Sequence, residues 1–177
     1  AKNEHGRQEL NEVLSEANET GFYYQPRLDI ELLLKLPKDD VWVSTACLGY
    51  WKYEDIDEIT LQLYEHFKEN FYLEVQYHNT DTQKELNKHI LDLSNRFNIP
   101  IMMGCDSHYI FPEQADDRIN FLNSKNLFYE SEDGWFLDMP TGEEAVERFK
   151  KQGILNEYQI KEAIENTNVF LEVEEYN

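Results

Sequence analysis

Residues 99–109 of the chain read Ile99-Pro100-Ile101-Met102-Met103-Gly104-Cys105-Asp106-Ser107-His108-Tyr109. The apolar run that opens this stretch predicts a buried strand, because a strand covered on both faces carries continuous apolar residues. Asp106 and His108 follow at i, i+2 spacing, which in an extended segment points both side chains to one side. A carboxylate and an imidazole after a buried strand are typical of a site at the carboxyl edge of an α/β sheet. The simpler alternative is an Asp that caps the next helix beside a surface His.

Two further strands are predicted upstream of this stretch. Residues near Val41–Thr45 and Phe71–Gln76 are rich in the β-branched and aromatic side chains that strands favour. Each is followed by apolar residues at helical spacing, over Asp55–Lys68 and Thr82–Phe97. With a third strand near Pro100–Gly104, this alternation predicts an α/β fold with parallel strands and crossover helices.

Helical periodicity also predicts helices outside this alternation. They lie at Lys2–Thr20, at Asp29–Leu36, at Pro112–Ser124, from a capping-box pattern at Thr141–Glu144, and at Glu157–Glu172. The segment Trp135–Leu137 follows a Gly134 turn and is either a short strand or a packed loop.

Side chains that can bind metal ions follow each predicted strand. Cys47 follows the first strand, Glu74 and His78 lie near the end of the second, and Asp106 and His108 follow the third. Because parallel strands end at one rim, these residues can share one site. Thiolate, imidazole and carboxylate together suit Zn²⁺, or Mn²⁺ and Fe²⁺ where carboxylates dominate. The alternatives are a buried hydrophobic role for Cys47, an ion pair for Glu74 and a plain loop position for His78.

The chain of 177 residues has a formal net charge of −20, with 41% hydrophobic and 14% aromatic residues. This length favours one domain, or one with an appendage, and the apolar content argues against disorder. So acidic a surface repels phosphate backbones, which disfavours direct nucleic-acid binding by this chain alone. No apolar run approaches the ~20 residues of a membrane span, and two cysteines without a signal peptide favour a cytoplasmic setting. The absence of Met at position 1 predicts a piece of a longer polypeptide.

Several motifs, in the same order along the chain, resemble the polymerase-and-histidinol-phosphatase (PHP) domain of bacterial DNA polymerase III alpha subunits. These are Ala1-Lys2-Asn3-Glu4, Gly21-Phe22-Tyr23-Tyr24-Gln25-Pro26-Arg27-Leu28-Asp29, Ser44-Thr45-Ala46-Cys47-Leu48, Phe71-Tyr72-Leu73-Glu74-Val75-Gln76, Asn87, Ile99-Pro100 and Asp106-Ser107-His108-Tyr109. Trp135-Phe136-Leu137, Glu143-Glu144 and Glu165-Asn166-Thr167 fit the exit of that domain towards the polymerase palm. Each motif is short, but together they cover nearly the whole chain.

The resemblance implies a distorted (β/α)7 barrel, like a TIM barrel, with a trinuclear site for Zn, Mn or Mg. Cys47, Asp106 and His108 carry over as metal ligands, and the other ligand positions, including a His-x-His, are expected upstream of Ala1. Glu74 and His78 lie on the matching rim, as residues that line the site or hydrogen-bond its ligands, and do not carry over as ligands themselves. At Asp116 the family often has His, which leaves that contact open. Residues 1–140 would be the C-terminal portion of the barrel, and residues 141–177 a helical exit segment towards the palm.

In some members of the family the metal site performs 3′–5′ proofreading exonucleolysis, and in others the domain holds a separate exonuclease subunit. The resemblance therefore implies a bacterial or phage replication protein whose partners are the rest of the alpha subunit and an exonuclease subunit. This chain would contact DNA only as part of the full-length alpha subunit, here called the parent. This chain alone is expected to be inactive and to bind metal weakly or not at all, and its exposed sheet edge could form a homodimer. The alternatives are an acidic protein that occupies a basic partner and a free-standing metal-dependent phosphoesterase.

Overall fold

The computed structural model describes residues 1–127 and 134–175. In these residues, short parallel strands alternate with helices and are followed by a helical C-terminal part. The strands are β1 (Val43–Ser44), β2 (Phe71–Gln76) and β3 (Ile101–Gly104). The helices are α1 (Glu4–Glu19), α2 (Ile30–Leu33), α3 (Ile56–Phe67), α4 (Asp81–Phe97), α5 (Ala115–Ser124), α6 (Gly142–Gln152) and α7 (Glu157–Glu165). Turns of 3₁₀ helix lie at Tyr50–Lys52, Lys68–Asn70, Pro112–Gln114 and Asn166–Glu172.

The three strands form one sheet in the order β1-β2-β3, and both neighbouring pairs are parallel. β1 pairs with the beginning of β2, with Val43 opposite Phe71. β3 pairs with the rest of β2, from Leu73 opposite Ile101 to Gln76 opposite Gly104. Helix α3 connects β1 to β2 and α4 connects β2 to β3. The predicted α/β class and the parallel arrangement are confirmed.

Helix α4 shows how local sequence sets the ends of an element. The Thr80 side chain accepts a hydrogen bond from the Gln83 amide and caps the first turn. At the other end Asn98 adopts a left-handed conformation with φ 55°. Asn is one of the few residue types besides Gly that end a helix in this conformation. The Asn98 turn leads directly into β3, so the helix end also fixes where that strand begins.

The chain divides into two compact units. The first comprises Ala1–Thr45, Tyr50–Tyr72 and the residues from Thr167 onward. In it the Asp40 carboxylate accepts hydrogen bonds from the side chains of Asn3 (2.6 Å) and His5 (2.7 Å). A Cβ on Gly6 would lie 2.1 Å from the Asp40 carbonyl oxygen, so only glycine fits there. The buried apolar residues of this unit include Val13, Ala17, Leu32, Leu36, Val41, Leu63, Phe67 and Phe71.

The second unit comprises Ala46–Gly49 and Leu73–Asn166, and it contains every predicted site residue. Helix α7 packs on β3, and the Asn166 side-chain amide donates a 2.7 Å hydrogen bond to the Ile101 carbonyl. The core of this unit is built from side chains that are at most a few per cent exposed. They include Leu73, Val75, Tyr77, Ile90, Leu93, Ile99, Ile101, Phe149, Ile160 and Ala163.

Several elements differ in extent from the sequence prediction. β1 covers two residues instead of five, because Ala46 turns the chain with φ 50° soon after the strand. The last helix ends at Glu165 and continues as 3₁₀ helix through Glu172. The capping box Thr141–Glu144 forms as predicted, whereas Trp135–Leu137 is an irregular packed segment and not a strand. None of the helices within the described residues is long and apolar enough to span a membrane.

Candidate functional site

The segment after β3 carries the predicted Asp-x-His pair in a turned conformation. β3 ends at Gly104, and Asp106 has φ 48°, in the left-handed region that non-glycine residues seldom occupy. The expected alternation of an extended chain therefore does not apply between Asp106 and His108. Asp106 is half-buried and His108 is exposed. Strained backbone of this kind is found more often at functional sites than elsewhere.

A strap formed by residues Gly134–Met139 holds this segment from one side. The Leu137 carbonyl accepts hydrogen bonds from the amides of His108 (2.7 Å) and Tyr109 (3.3 Å). The Ser107 hydroxyl donates to the Asp138 carbonyl at 3.0 Å. The Met139 amide donates to the Ile110 carbonyl at 3.2 Å. The backbone of His108 is thus fixed although its side chain is exposed.

The ring of His108 is oriented by its own loop. Its Nδ1 lies 2.7 Å from the Asp106 carbonyl oxygen, which can only accept, so Nδ1 must carry the proton. In the neutral ring this leaves a free lone pair on Nε2. A histidine that donates one ring N–H to a backbone carbonyl and offers the other nitrogen is the usual arrangement of a metal ligand.

His78 has the opposite arrangement, and it is completely buried. Its Nδ1 lies 3.1 Å from the Phe136 amide, which can only donate, so the proton of the neutral ring is on Nε2. Burial, followed by the nearby Arg148 and His108 charges, lowers the pKa of His78 from 6.5 to about 4. Nε2 is buried and has no hydrogen-bond partner among the described residues. With its proton on Nε2, His78 is not prepared to bind a metal ion through that nitrogen.

Three buried amide side chains, those of Gln83, Asn87 and Gln152, surround the end of β2. Asn87 and Gln152 donate to the Gln76 carbonyl at 2.7 and 2.9 Å, and Gln152 also donates to the His78 carbonyl at 2.7 Å. Gln83 donates to the Asn87 side-chain oxygen at 3.0 Å. Buried carbonyls beyond the end of a strand need such donors, because leaving them unpaired costs free energy. The network therefore stabilises the exit of β2.

Glu74 has a packing role that the sequence did not reveal. Its Oε1 accepts a 2.9 Å hydrogen bond from Gln76 Nε2. The same oxygen lies 1.9 Å from the position that a Cβ on Gly104 would occupy. The Glu74 side chain therefore crosses β3 at the only glycine of that strand. Burial, together with the Glu74 and Asp138 charges, raises the pKa of the adjacent Cys105 thiol. The raised pKa favours the neutral form of the Cys105 thiol.

Cys47 lies just after β1 as a free, exposed thiol. Its neighbour Ala46 has φ 50°, a conformation that alanine adopts only under constraint. Cys47 and Asp106, both predicted ligands, therefore lie at or beside a left-handed residue soon after a parallel strand. The two strands concerned, β1 and β3, flank β2 in the sheet.

The donor set suits a divalent transition metal in chemical terms. Cys47 offers a sulfur, Asp106 offers oxygens, and His108 offers the lone pair on Nε2, all of them Zn²⁺ ligands. Within residues 1–127 and 134–175, no three His, Cys, Asp or Glu side chains gather closely enough to hold a metal ion. The joint site of Cys47, Asp106 and His108 thus stays a prediction.

Sequence comparisons relate most of the chain to known proteins. The DNA polymerase III alpha subunit of Aquifex aeolicus is 29% identical over 146 residues, which are 77% of this chain and 12% of that protein. That of Helicobacter pylori is 27% identical over 94% of this chain and 15% of its own length. This chain is related to DNA polymerase III alpha subunits. The DNA polymerase III alpha subunit of Borreliella burgdorferi is 32% identical over 65% of this chain and 11% of its own length. No family model matches the chain.

The chain thus corresponds to a small part of each relative. It spans 12% of the Aquifex aeolicus subunit and 15% of the Helicobacter pylori subunit. The resemblance predicted from the sequence motifs is confirmed at the level of the alpha subunit. The PHP domain itself, its metal site and its ligands remain predictions.

Proposed function

We propose that this chain serves DNA replication as part of an alpha subunit, where it forms the C-terminal portion of a PHP-type barrel. The observation that carries the proposal is the relation to DNA polymerase III alpha subunits over most of the chain, up to 94% in one relative. A parallel order of β1, β2 and β3 with connecting helices is compatible with part of a (β/α)7 barrel. The rest of such a subunit would be the principal partner of this chain.

In this proposal Cys47, Asp106 and His108 are this chain's contribution to a metal site that further ligands complete. A bound divalent cation supplies Lewis-acid charge for phosphoester hydrolysis. The chain's own residues hold the donors in place: Leu137 fixes the backbone of His108, and the Asp106 carbonyl fixes its ring. The parent would use the site for 3′–5′ proofreading or would hold a separate exonuclease subunit beside it.

The chain alone is proposed to lack appreciable nuclease activity and to bind metal weakly. A multi-metal hydrolase needs a closed set of ligands to hold its ions at fixed distances, and three donors are too few. The net charge of −20 also repels a polyanionic substrate. Weak binding should nevertheless depend on the proposed ligands.

The test is zinc and manganese binding by calorimetry, together with cleavage of 3′-labelled single-stranded DNA. We expect weak zinc binding that an Asp106→Ala, His108→Ala double variant abolishes. A control variant, Asp117→Ala with His5→Ala, removes the same residue types from exposed positions. It should bind zinc as the unsubstituted chain does. Equal binding by both variants would overturn the site assignment. Robust cleavage that the first variant abolishes would favour the free-standing phosphoesterase instead.

A further inference from the structure

We propose that His78 is a positioning residue for His108, acting through the strap Gly134–Met139. This inference deepens the proposed function and rests on it for the role of His108 as a ligand. It concerns a completely buried imidazole that accepts a hydrogen bond from the strap, while the strap in turn bonds an exposed loop 30 residues further along the chain.

The first step joins His78 to the strap. Its Nδ1 accepts from the Phe136 amide at 3.1 Å, and the Asn79 amide donates to the Gly134 carbonyl at 2.7 Å. The rings of His78 and Trp135 lie 4.7 Å apart between centroids. Gly134 has φ 85°, and a Cβ there would lie 3.0 Å from the Asn79 carbonyl oxygen. The exit of β2 thereby fixes the first three residues of the strap.

The second step joins the strap to the loop after β3. Leu137, next to Phe136, accepts from the His108 amide at 2.7 Å. Asp138 holds Ser107 through its carbonyl and pairs through its carboxylate with Arg148 at 2.6 Å. The Arg148 guanidinium lies 4.9 Å from the centre of the Phe136 ring, so α6 supports the same strap. The link from His78 to His108 consequently runs through two adjacent strap residues.

The third step is the orientation of the His108 ring. Its Nδ1–H donates to the carbonyl of Asp106, the residue that adopts the left-handed conformation. That turn lies between β3 and the His108 amide, and the strap holds the latter. A strap released at Phe136 would let the His108 amide move, and Nε2 would lose its fixed direction. An acceptor at the His78 position is therefore needed for a preorganised ligand.

The substitutions His78→Asn and His78→Leu separate positioning from packing. The Asn side-chain oxygen can take the place of Nδ1 as acceptor, whereas Leu fills a similar volume without one. We expect His78→Leu to speed hydrogen exchange at the His108 and Tyr109 amides about tenfold or more, since the Phe136 amide loses its partner. His78→Asn should restore most of the protection.

The Ile90 amide in the buried part of α4 reports global opening and serves as the internal reference. Faster exchange at His108 with an unchanged Ile90 rate in His78→Leu, and rescue in His78→Asn, would support positioning. Equal exchange at His108 in all three proteins, or no rescue by Asn, would overturn it. Zinc titration of the same samples judges the proposed function separately. If the unsubstituted chain does not bind zinc through His108, the proposed function fails. The exchange data still decide whether His78 positions His108.

Discussion

The segments that follow β2 and β3 each carry a histidine and use it in opposite ways. After β2, His78 is completely buried, its Nδ1 accepts from a backbone amide, and its carbonyl is bonded by Gln152. After β3, His108 is exposed, and its Nδ1 donates to the carbonyl of a strained Asp106. In the first segment the His78 ring nitrogen Nδ1 and carbonyl form internal hydrogen bonds that stabilise the fold. The second leaves a carboxylate and an imidazole nitrogen available for a ligand.

The difference shows that the position of a histidine near a strand end does not determine its role. The hydrogen-bond partner of the other ring nitrogen decides it, because that partner fixes where the proton lies. An amide partner gives His78 a proton on Nε2, and a carbonyl partner gives His108 a lone pair there. The same comparison predicts that substitutions after β2 affect stability, and that those after β3 affect binding.

The largest loss of stability is expected from Asn87→Leu, which keeps the branched shape of the side chain but removes the centre of the amide network. Gln83 and Gln152 would each lose a buried partner. We expect the free energy of unfolding to fall by about 3 kcal/mol. Urea denaturation measures this, with Asn95→Leu as the control at an exposed position of the same helix. A loss below about 1 kcal/mol would show that the network contributes little.

A pH-dependent loss of stability is expected from His78. Its pKa is 6.5 in the unfolded chain and about 4 in the folded protein. Between these values the unfolded state binds more protons, so stability is complete above pH 6.5 and falls as the pH is lowered. We expect a loss of about 2 kcal/mol between pH 7 and pH 5.

The variant His78→Asn isolates this contribution, because it removes the titrating group and keeps the acceptor. His5 acts in the opposite direction, since its hydrogen bond with Asp40 raises the His5 pKa and adds stability as the pH falls. Urea denaturation of both proteins at pH 7 and pH 5 gives the difference. An identical pH dependence in parent and variant would contradict the buried, neutral state of His78.

A smaller loss is expected from Gly104→Ala. The added Cβ would lie 1.9 Å from Glu74 Oε1, so the Glu74 side chain would have to move and give up its bond to Gln76. We expect thermal or urea denaturation to show a destabilisation of about 1–2 kcal/mol. Gly142→Ala is the matched control, because open space surrounds that glycine. If both substitutions are neutral, Glu74 does not lie over Gly104.

The smallest effect on stability is expected at the proposed ligands. Cys47 and His108 are exposed. Single substitutions Cys47→Ala and His108→Ala should therefore change the free energy of unfolding by no more than about 0.5 kcal/mol, while weakening zinc binding. Parallel denaturation and calorimetry on the same samples test both halves of this expectation. A loss of stability above about 1.5 kcal/mol would assign these residues to the fold.

Much of the fold followed from the sequence because its signals are local. The apolar runs of β2 and β3 and the periodicity of α4 are continuous patterns, and the parallel arrangement follows from their alternation. β1 was predicted too long, since nothing in Val41–Thr45 announces the turn that Ala46 makes with φ 50°.

The contacts around the candidate site could not be predicted in the same way. The bond between Phe136 and His78 joins residues 58 apart in sequence, and that between Gln152 and Gln76 joins residues 76 apart. One signal was present for the network: Gln83 and Asn87 are spaced i, i+4 among the apolar residues of α4. Polar residues on the buried face of a helix indicate internal hydrogen bonds, but not their partners.

The most direct test of the central claim is a long-range ¹H–¹⁵N correlation spectrum of the histidine rings, recorded with and without Zn²⁺. We predict that His78 shows a proton on Nε2 and does not respond to zinc. We predict that His108 shows a proton on Nδ1 and that its Nε2 resonance moves on zinc addition, a shift that Asp106→Ala abolishes. A zinc response at His78, or a His108 ring that stays unchanged, would contradict the assignment of structural and binding roles to the two segments.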